Sequence, residues 1–236
     1  MLKLYIAETF HSIKGEGLYS GTPMYFVRFA GCNVGKRDSK DMQVRSSFDP
    51  RFKVLGMTCT AYDGRKFGCD TDYKRYQTID LDDQKAMDNF WSDVWERRVV
   101  LTGGEPMMQT EAFRRMLEEC KLRGKVPHVE TSGTIEMQIA EEDAWIACAP
   151  KKDYSDLMLW RANEIKLLVD DRFNIADVPK PCFEHPLVFL CPINIGVEQG
   201  YYAPNDAHNV QLCIEYCKHY PSWRVGVQLH KLLGVR

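Results

Sequence analysis

Arg98-Val99-Val100-Leu101-Thr102-Gly103-Gly104-Glu105-Pro106 reads as a buried strand that runs into a glycine turn. The β-branched run has the length and composition of a parallel strand covered on both faces. Residues 111–122 then carry a helical pattern, so strand, turn and helix follow in the order of a βα unit. Upstream, residues 25–30 form a second strand-like run ending at Gly31-Cys32, and residues 81–97 predict a helix with Met87, Phe90, Trp91, Val94 and Trp95 on one side. Downstream, strand-like runs recur at 128–131, 144–149, 164–169, 187–191 and 224–229, with a last helix at 207–219. Alternating strands and helices imply a parallel sheet with right-handed crossovers. Few convincing helices separate the later strands. The expected fold is therefore α/β, a shortened, incomplete (β/α) barrel with about six core parallel strands instead of eight full units.

The chain has 236 residues, which fits one domain spanning 1–236. No repeat or linker divides it. A formal charge of −2 gives no electrostatic case for nucleic acid or a membrane as the main partner. No apolar run has the length of a membrane span. The opening Met1-Leu2-Lys3-Leu4-Tyr5-Ile6-Ala7-Glu8 meets an acid too early for a secretory leader, so a cytoplasmic setting is expected. Nine cysteines in such a chain favour reduced thiols, in metal or redox use, over a disulfide framework.

Three of these cysteines precede the glycine turn: Cys32, Cys59 and Cys69. Three thiolates can hold three corners of an iron–sulfur cube and leave the fourth iron open. The intervals are long, 26 residues between the first two and nine between the last two. Residues 33–68 are polar and glycine-bearing, and read as an extended loop carrying the ligands. Stretching both closures costs roughly 1–2 kcal/mol each. Thiolate–metal binding in small sites is worth on the order of 10 kcal/mol, so the spacing is compatible with a cluster. Ordinary thiols or a zinc site remain open, although zinc wants a fourth ligand and His11 is the histidine nearby.

Around the cysteines, the segments Glu8-Thr9-Phe10-His11-Ser12-Ile13-Lys14-Gly15-Glu16-Gly17, Phe26-Val27-Arg28-Phe29-Ala30-Gly31-Cys32-Asn33 and Cys69-Asp70-Thr71-Asp72-Tyr73 stand out. They resemble the 7-carboxy-7-deazaguanine synthase family of radical S-adenosylmethionine (SAM) enzymes. The likeness continues through residues 101–106, Val129-Glu130-Thr131-Ser132-Gly133-Thr134, Ala149-Pro150-Lys151, Gln228-Leu229-His230-Lys231 and Gly234-Val235-Arg236. It departs from the family at the cysteine spacing, where Lys66 stands three residues before Cys69 in place of the middle thiol.

The resemblance implies a homodimeric enzyme that converts 6-carboxy-5,6,7,8-tetrahydropterin to 7-carboxy-7-deazaguanine with loss of ammonia. It also implies a [4Fe–4S] cluster, SAM, Mg2+ and a flavodoxin or ferredoxin as reductant. By the same resemblance Cys32, Cys59 and Cys69 hold the cluster, and the hydroxyl of Thr71 meets magnesium. SAM falls to Gly104, Glu105, Ser132, Ala149, Pro150 and Lys151, and to Cys191, Pro192, Ile193 and Asn194. Substrate falls to Ile13, Lys14, Gly15 and Glu16, to Arg28 and Thr102, and to His230 and the terminal carboxylate of Arg236. Lys14 stands where the family usually has glutamine, Ala149 where it often has serine, and Cys191 where glutamine is common. Arg28 interrupts an apolar strand, and its fork suits a carboxylate, with a structural ion pair as the alternative. Cys213 and Cys217 read as core fillers on the last helix. Another radical-SAM enzyme, such as a glycyl-radical activase, and a non-catalytic iron–sulfur or zinc protein are the competing readings.

Overall fold

The computed structural model describes residues 1–37, 43–45, 53–55, 57–69, 76–140, 142–193 and 207–235. Its frame is a nine-stranded sheet. Strand β1 (Lys3–Ile13) pairs antiparallel with β2 (Pro23–Phe29). Three short pieces follow, β3 (Lys36–Arg37), β4 (Gln43–Arg45) and β5 (Lys53–Leu55), then the hairpin of β6 (Met57–Thr60) and β7 (Lys66–Cys69). Strand β8 (Gln77–Asp80) returns to the main sheet beside β1, also antiparallel. From there the βα units take over: α1 (Gln84–Trp91), β9 (Arg98–Gly103), α2 (Thr110–Leu122), β10 (Val126–Thr131), β11 (Trp145–Cys148), α3 (Asp156–Arg161) and β12 (Glu164–Val169). The chain ends with α4 (Pro181–Glu184), β13 (Val188–Pro192), α5 (Ala207–His219), β14 (Trp223–Val225) and α6 (Leu229–Leu233).

The spatial order β14-β13-β12-β11-β10-β9-β2-β1-β8 leaves β14 and β8 as two separate edges, so the sheet is open. Seven of its strands, β2 and β9 to β14, run parallel. The incomplete parallel barrel expected from the sequence is thus the architecture found. Helices after β11 and β12 are short, six and four residues, which is why the later crossovers showed so little helical pattern.

Four readings need correction. The helix expected over 81–97 spans only Gln84–Trp91. Asp83 caps its start by accepting from the amides of Lys85 and Ala86, and its end turns where Ser92 bonds back to Asn89 O at 2.8 Å. Trp95 is consequently outside the helix, 71% exposed and stacked on His11, not in the core. The run 224–229 breaks after Val225, and Leu229 opens α6. Within 33–68, the described residues hold most of an antiparallel hairpin where an extended loop was expected. Strands β1 and β8 were not anticipated.

Side-chain alternation gives the sheet two different faces. One carries Val27, Phe29, Leu101, Val129, Ile146, Ile165, Leu167 and Val188, all buried in the main core cluster. Phe113 and Met116 of α2 and Cys213 of α5 close over it. The opposite face carries Arg28, Thr102, Glu130, Glu164 and Lys166, and the site is built on it.

Candidate active site

Strand register alone assembles the polar face. Arg28 lies beside Thr102, Glu130 beside Ala147, and Ala147 beside Glu164. Lys166 stands two residues on from Glu164, so both project from the same side of β12. Glu130 is the hub. Its carboxylate pairs with the ammonium of Lys14 and, at 3.1 Å, with that of Lys166, and accepts from Thr102 Oγ1 at 2.9 Å. Lys166 also meets Glu16 at 3.1 Å, and Gln228 Nε2 donates to the other oxygen of Glu16 at 2.5 Å. Two cations and two anions therefore neutralise one another in a region where Lys14 is only 3% exposed. An unpaired charge at that depth costs several kcal/mol.

The charges are fixed by this mutual pairing. Burial pushes Glu16 toward the neutral form, but Lys166 and the Gln228 hydrogen bond prevail and hold its carboxyl at about 2. Desolvation likewise acts against the partly buried Glu130 carboxylate, yet Lys14 and Lys166 keep it well below the usual carboxylate range. Burial works against the Lys166 ammonium too, and Glu130 and Glu16 override it, so Lys166 stays protonated. Next along β10, burial together with Lys14 and Arg98 drives His128 down to about 3. That imidazole is neutral across the physiological range.

Glycines let the loops close on this network. A Cβ on Gly15 would meet His230 Nδ1 at 1.8 Å, and one on Gly17, at φ +79°, would meet Glu164 Oε1 at 2.1 Å. Glu16 is thus clamped between β12 and α6, with Leu229 N bonded to Gly15 O at 2.8 Å.

At the C-terminal ends of the strands, a cavity of about 190 Å³ opens beside the network. Cys32, Cys59 and Cys69 all line it, together with Gly104, Lys151 and Lys166. The long intervals do not keep Cys59 away. Among the described residues no three His, Cys, Asp or Glu side chains converge on one ion. Three thiols spread around a shared cavity suit a cluster that takes one thiolate at each of three irons. Burial pushes the Cys59 thiol up to about 11, with Cys69 and Cys32 adding to it and Lys151 opposing. Metal ligation there must expel protons, as thiolate sites do.

The Gly103-Gly104 turn has a more local purpose than expected. A Cβ at Gly104 would meet Gly31 O at 2.0 Å and Cys32 Cβ at 2.7 Å. The glycine lets the Cys32 loop lie on the turn, and Glu105 N–H donates to Gly31 O at 3.0 Å. Glu105 itself is fully buried: it accepts from Thr131 Oγ1, from Ser132 N at 2.8 Å and from Ser132 Oγ at 2.5 Å. Its side chain braces the ends of β9 and β10 and is not among the groups lining the cavity.

Of the remaining expected residues, Ser132 and Ala149 line the cavity, and Pro150 lies between Ala149 and Lys151. Thr102 lines it as well. Cys191 and Pro192 close β13 and Ile193 follows, its N–H bonded to Val169 O at 2.9 Å. Burial and Glu16 raise the Cys191 thiol well above its ordinary range, so it stays neutral, and it is not among the residues lining the cavity. Arg28 donates from Nε to Glu8 Oε1 at 2.8 Å, the ion pair named as the alternative for it. Ile13 ends β1 opposite Pro23. Thr71, Asn194 and Arg236 lie outside the described residues.

Glu130 and Lys166 were missed as site residues. The signal was present in Glu164-Ile165-Lys166-Leu167, where charges alternate with apolar residues inside a buried strand, as Arg28 does in its own.

No family model matches the chain. It is similar over its length to the 7-carboxy-7-deazaguanine synthase of Burkholderia multivorans, 30% identical over 239 residues with 98% of each chain covered. The protein of that name from Bradyrhizobium diazoefficiens is 33% identical over 236 residues, again with 98% of each covered. Among solved structures, the crystal structure of QueE from Escherichia coli superposes with a TM-score of 0.63 at 24% identity. That match covers 98% of this chain and 96% of the other, and it speaks to the fold.

Proposed function

Because the chain belongs to the 7-carboxy-7-deazaguanine synthase family, we propose that it contracts 6-carboxy-5,6,7,8-tetrahydropterin to 7-carboxy-7-deazaguanine with loss of ammonia. The enzyme acts in 7-deazaguanine biosynthesis, as a radical-SAM lyase on a small-molecule substrate. Cys32, Cys59 and Cys69 hold a [4Fe–4S] cluster, and the Gly104 turn, Ser132 and Lys151 receive SAM beside it. Bound together, cluster and SAM supply the one-electron chemistry that removes a hydrogen atom from the pterin.

The chain's own residues do the binding and orienting. Glu16, kept ionised, accepts from the adjacent N–H groups of the pterin's guanidine-like edge. Lys166 lines the cavity and presents a cation to an anionic substituent while its pairs with Glu16 and Glu130 fix its direction. Glu130 and Thr102 form the floor between the two ends. Thr71 serves Mg2+, and Asn194 and the Arg236 carboxylate complete the SAM and substrate contacts. One domain carries all of these groups, in a cytoplasmic homodimer reduced by a flavodoxin or ferredoxin.

The observation that carries this reading is the convergence of the three cysteines on one cavity with the Gly104 turn and Lys166. Anaerobic reconstitution tests it. The expected result is a brown protein with about four irons per chain that consumes the carboxytetrahydropterin only with SAM and reductant present. The same iron content without turnover of that pterin would point to a different radical-SAM reaction. Failure to take up iron, with Cys59→Ala indistinguishable from wild type, would overturn the enzyme reading.

A further inference from the structure

Cys59 lies on β6, in a hairpin with little sheet of its own to hold it. Among the described residues, two tethers from this hairpin to the main sheet stand out. One is backbone: Ala61 bridges Lys151, and Lys152 N–H donates to Thr60 O at 3.0 Å. The other is the side chain of Arg65, in the turn between β6 and β7. Its Nε donates to Asp63 at 2.6 Å, one terminal nitrogen to Asp170 at 2.5 Å and the other to Leu168 O at 2.8 Å. Arg65, Asp63 and Asp170 side chains are 8%, 4% and 5% exposed. The guanidinium also sits 5.4 Å from the ring centres of Phe67 and of Phe173. All three nitrogens of the fork donate, and the partners come from the hairpin and from the end of β12.

We infer that Arg65 is the positioning residue for Cys59, clamping the β6–β7 turn to Asp170 and Leu168 so that the displaced thiol meets Cys32 and Cys69. This inference rests on the cluster reading above. It explains how a long insertion delivers a ligand to a fixed place: one hairpin end is locked to the sheet that carries the cavity. Lysine cannot replace the fork, because a single ammonium does not reach Asp63, Asp170 and the Leu168 carbonyl in their three directions.

The test uses the full chain in two states. In metal-free protein, a timed iodoacetamide pulse followed by peptide mass mapping reads the alkylation rate of each cysteine. Arg65→Met and Asp170→Asn are expected to raise the Cys59 rate about tenfold, the scale of losing a hydrogen bond to a charged group. Cys148 and Cys182, buried in the core, stay protected in the same samples. In reconstituted protein, the cluster is expected to be lost to an iron chelator about tenfold faster in both variants, with Arg65→Lys between them and wild type. An unchanged Cys59 rate in both variants overturns the inference. So does a parallel rise at Cys148 and Cys182, which would make Arg65 a support of the whole fold. If wild type takes up no iron, the cluster reading fails, while the Cys59 rates still decide whether Arg65 positions that thiol.

Discussion

On the polar face of the sheet, Glu130 and Lys166 are placed by strand register; the hairpin that carries Cys59 is held by a backbone tether and the Arg65 clamp. The first arrangement is redundant. Glu130, Glu16 and Lys166 each have at least two partners, and neighbouring parallel strands fix the spacing between Glu130 and Lys166. The second depends on a few contacts over a large sequence separation, 105 residues from Arg65 to Asp170. A regular sheet tolerates the loss of a partner through the strands that remain. A tethered hairpin has no such reserve, so the loss of a tether frees the side chains that the hairpin carries.

The largest effect should come from the hairpin. Cys59→Ala is expected to abolish turnover, exceeding the roughly 10–100-fold cost of losing a mere outer-shell partner of a metal ligand. Yet Cys59 is half-buried and outside the core cluster, so metal-free thermal unfolding should shift by no more than about 2 °C. Iron analysis and a melting scan on one preparation check both halves. A melting temperature that falls steeply with the iron would break the distinction between the two regions.

Glu130→Gln strikes the other region, and its effect should be on stability. It takes the paired carboxylate away from Lys14 and leaves Lys166 with Glu16, and breaking a buried pair from one side costs about 3–5 kcal/mol. Adding Lys14→Met should recover part of that loss, because the stranded cation goes with it. Urea titrations of the single and double variants measure the coupling; strict additivity would show that Lys14 and Glu130 do not act as a pair. Leu101→Ala, on the apolar face of the neighbouring strand, should cost about 2–5 kcal/mol with no partner able to restore it.

The same contrast governs what was legible in the sequence. Parallel strands announce themselves as β-branched runs, and β9 to β13 were each anticipated. Arg28 stood out because it interrupts such a run, whereas Lys166 did not, since a lysine in a strand reads as a solvent-facing edge. Only the register that puts Ala147 between Glu130 and Glu164 turns those charges into one network. Strand β1 was missed because Lys3–Ile13 mixes polar and apolar residues with little contrast; pairing with β2 on one side and β8 on the other makes it a strand. The hairpin was illegible for a different reason. Nothing near Cys59 in sequence identifies Asp170 as the partner of Arg65, so the question of reach was answerable only in three dimensions.

The smallest effect concerns His128, at the margin of the charged face. Its imidazole is held down to about 3 by burial and by the cations Lys14 and Arg98, against an ordinary 6.5. The unfolded chain therefore takes up this proton first as pH falls, and stability is lost from about pH 6.5 downward, at up to about 1.4 kcal/mol per pH unit. Glu16 and Glu130 have depressed values as well, but they contribute the same sign only below the ordinary carboxylate value of 4.5. The interval from pH 4.5 to 6.5 thus isolates the histidine. Urea midpoints across that interval should slope for wild type and flatten for His128→Phe, which removes the titrating ring while keeping its bulk. An equal slope in the variant would assign the acid sensitivity elsewhere.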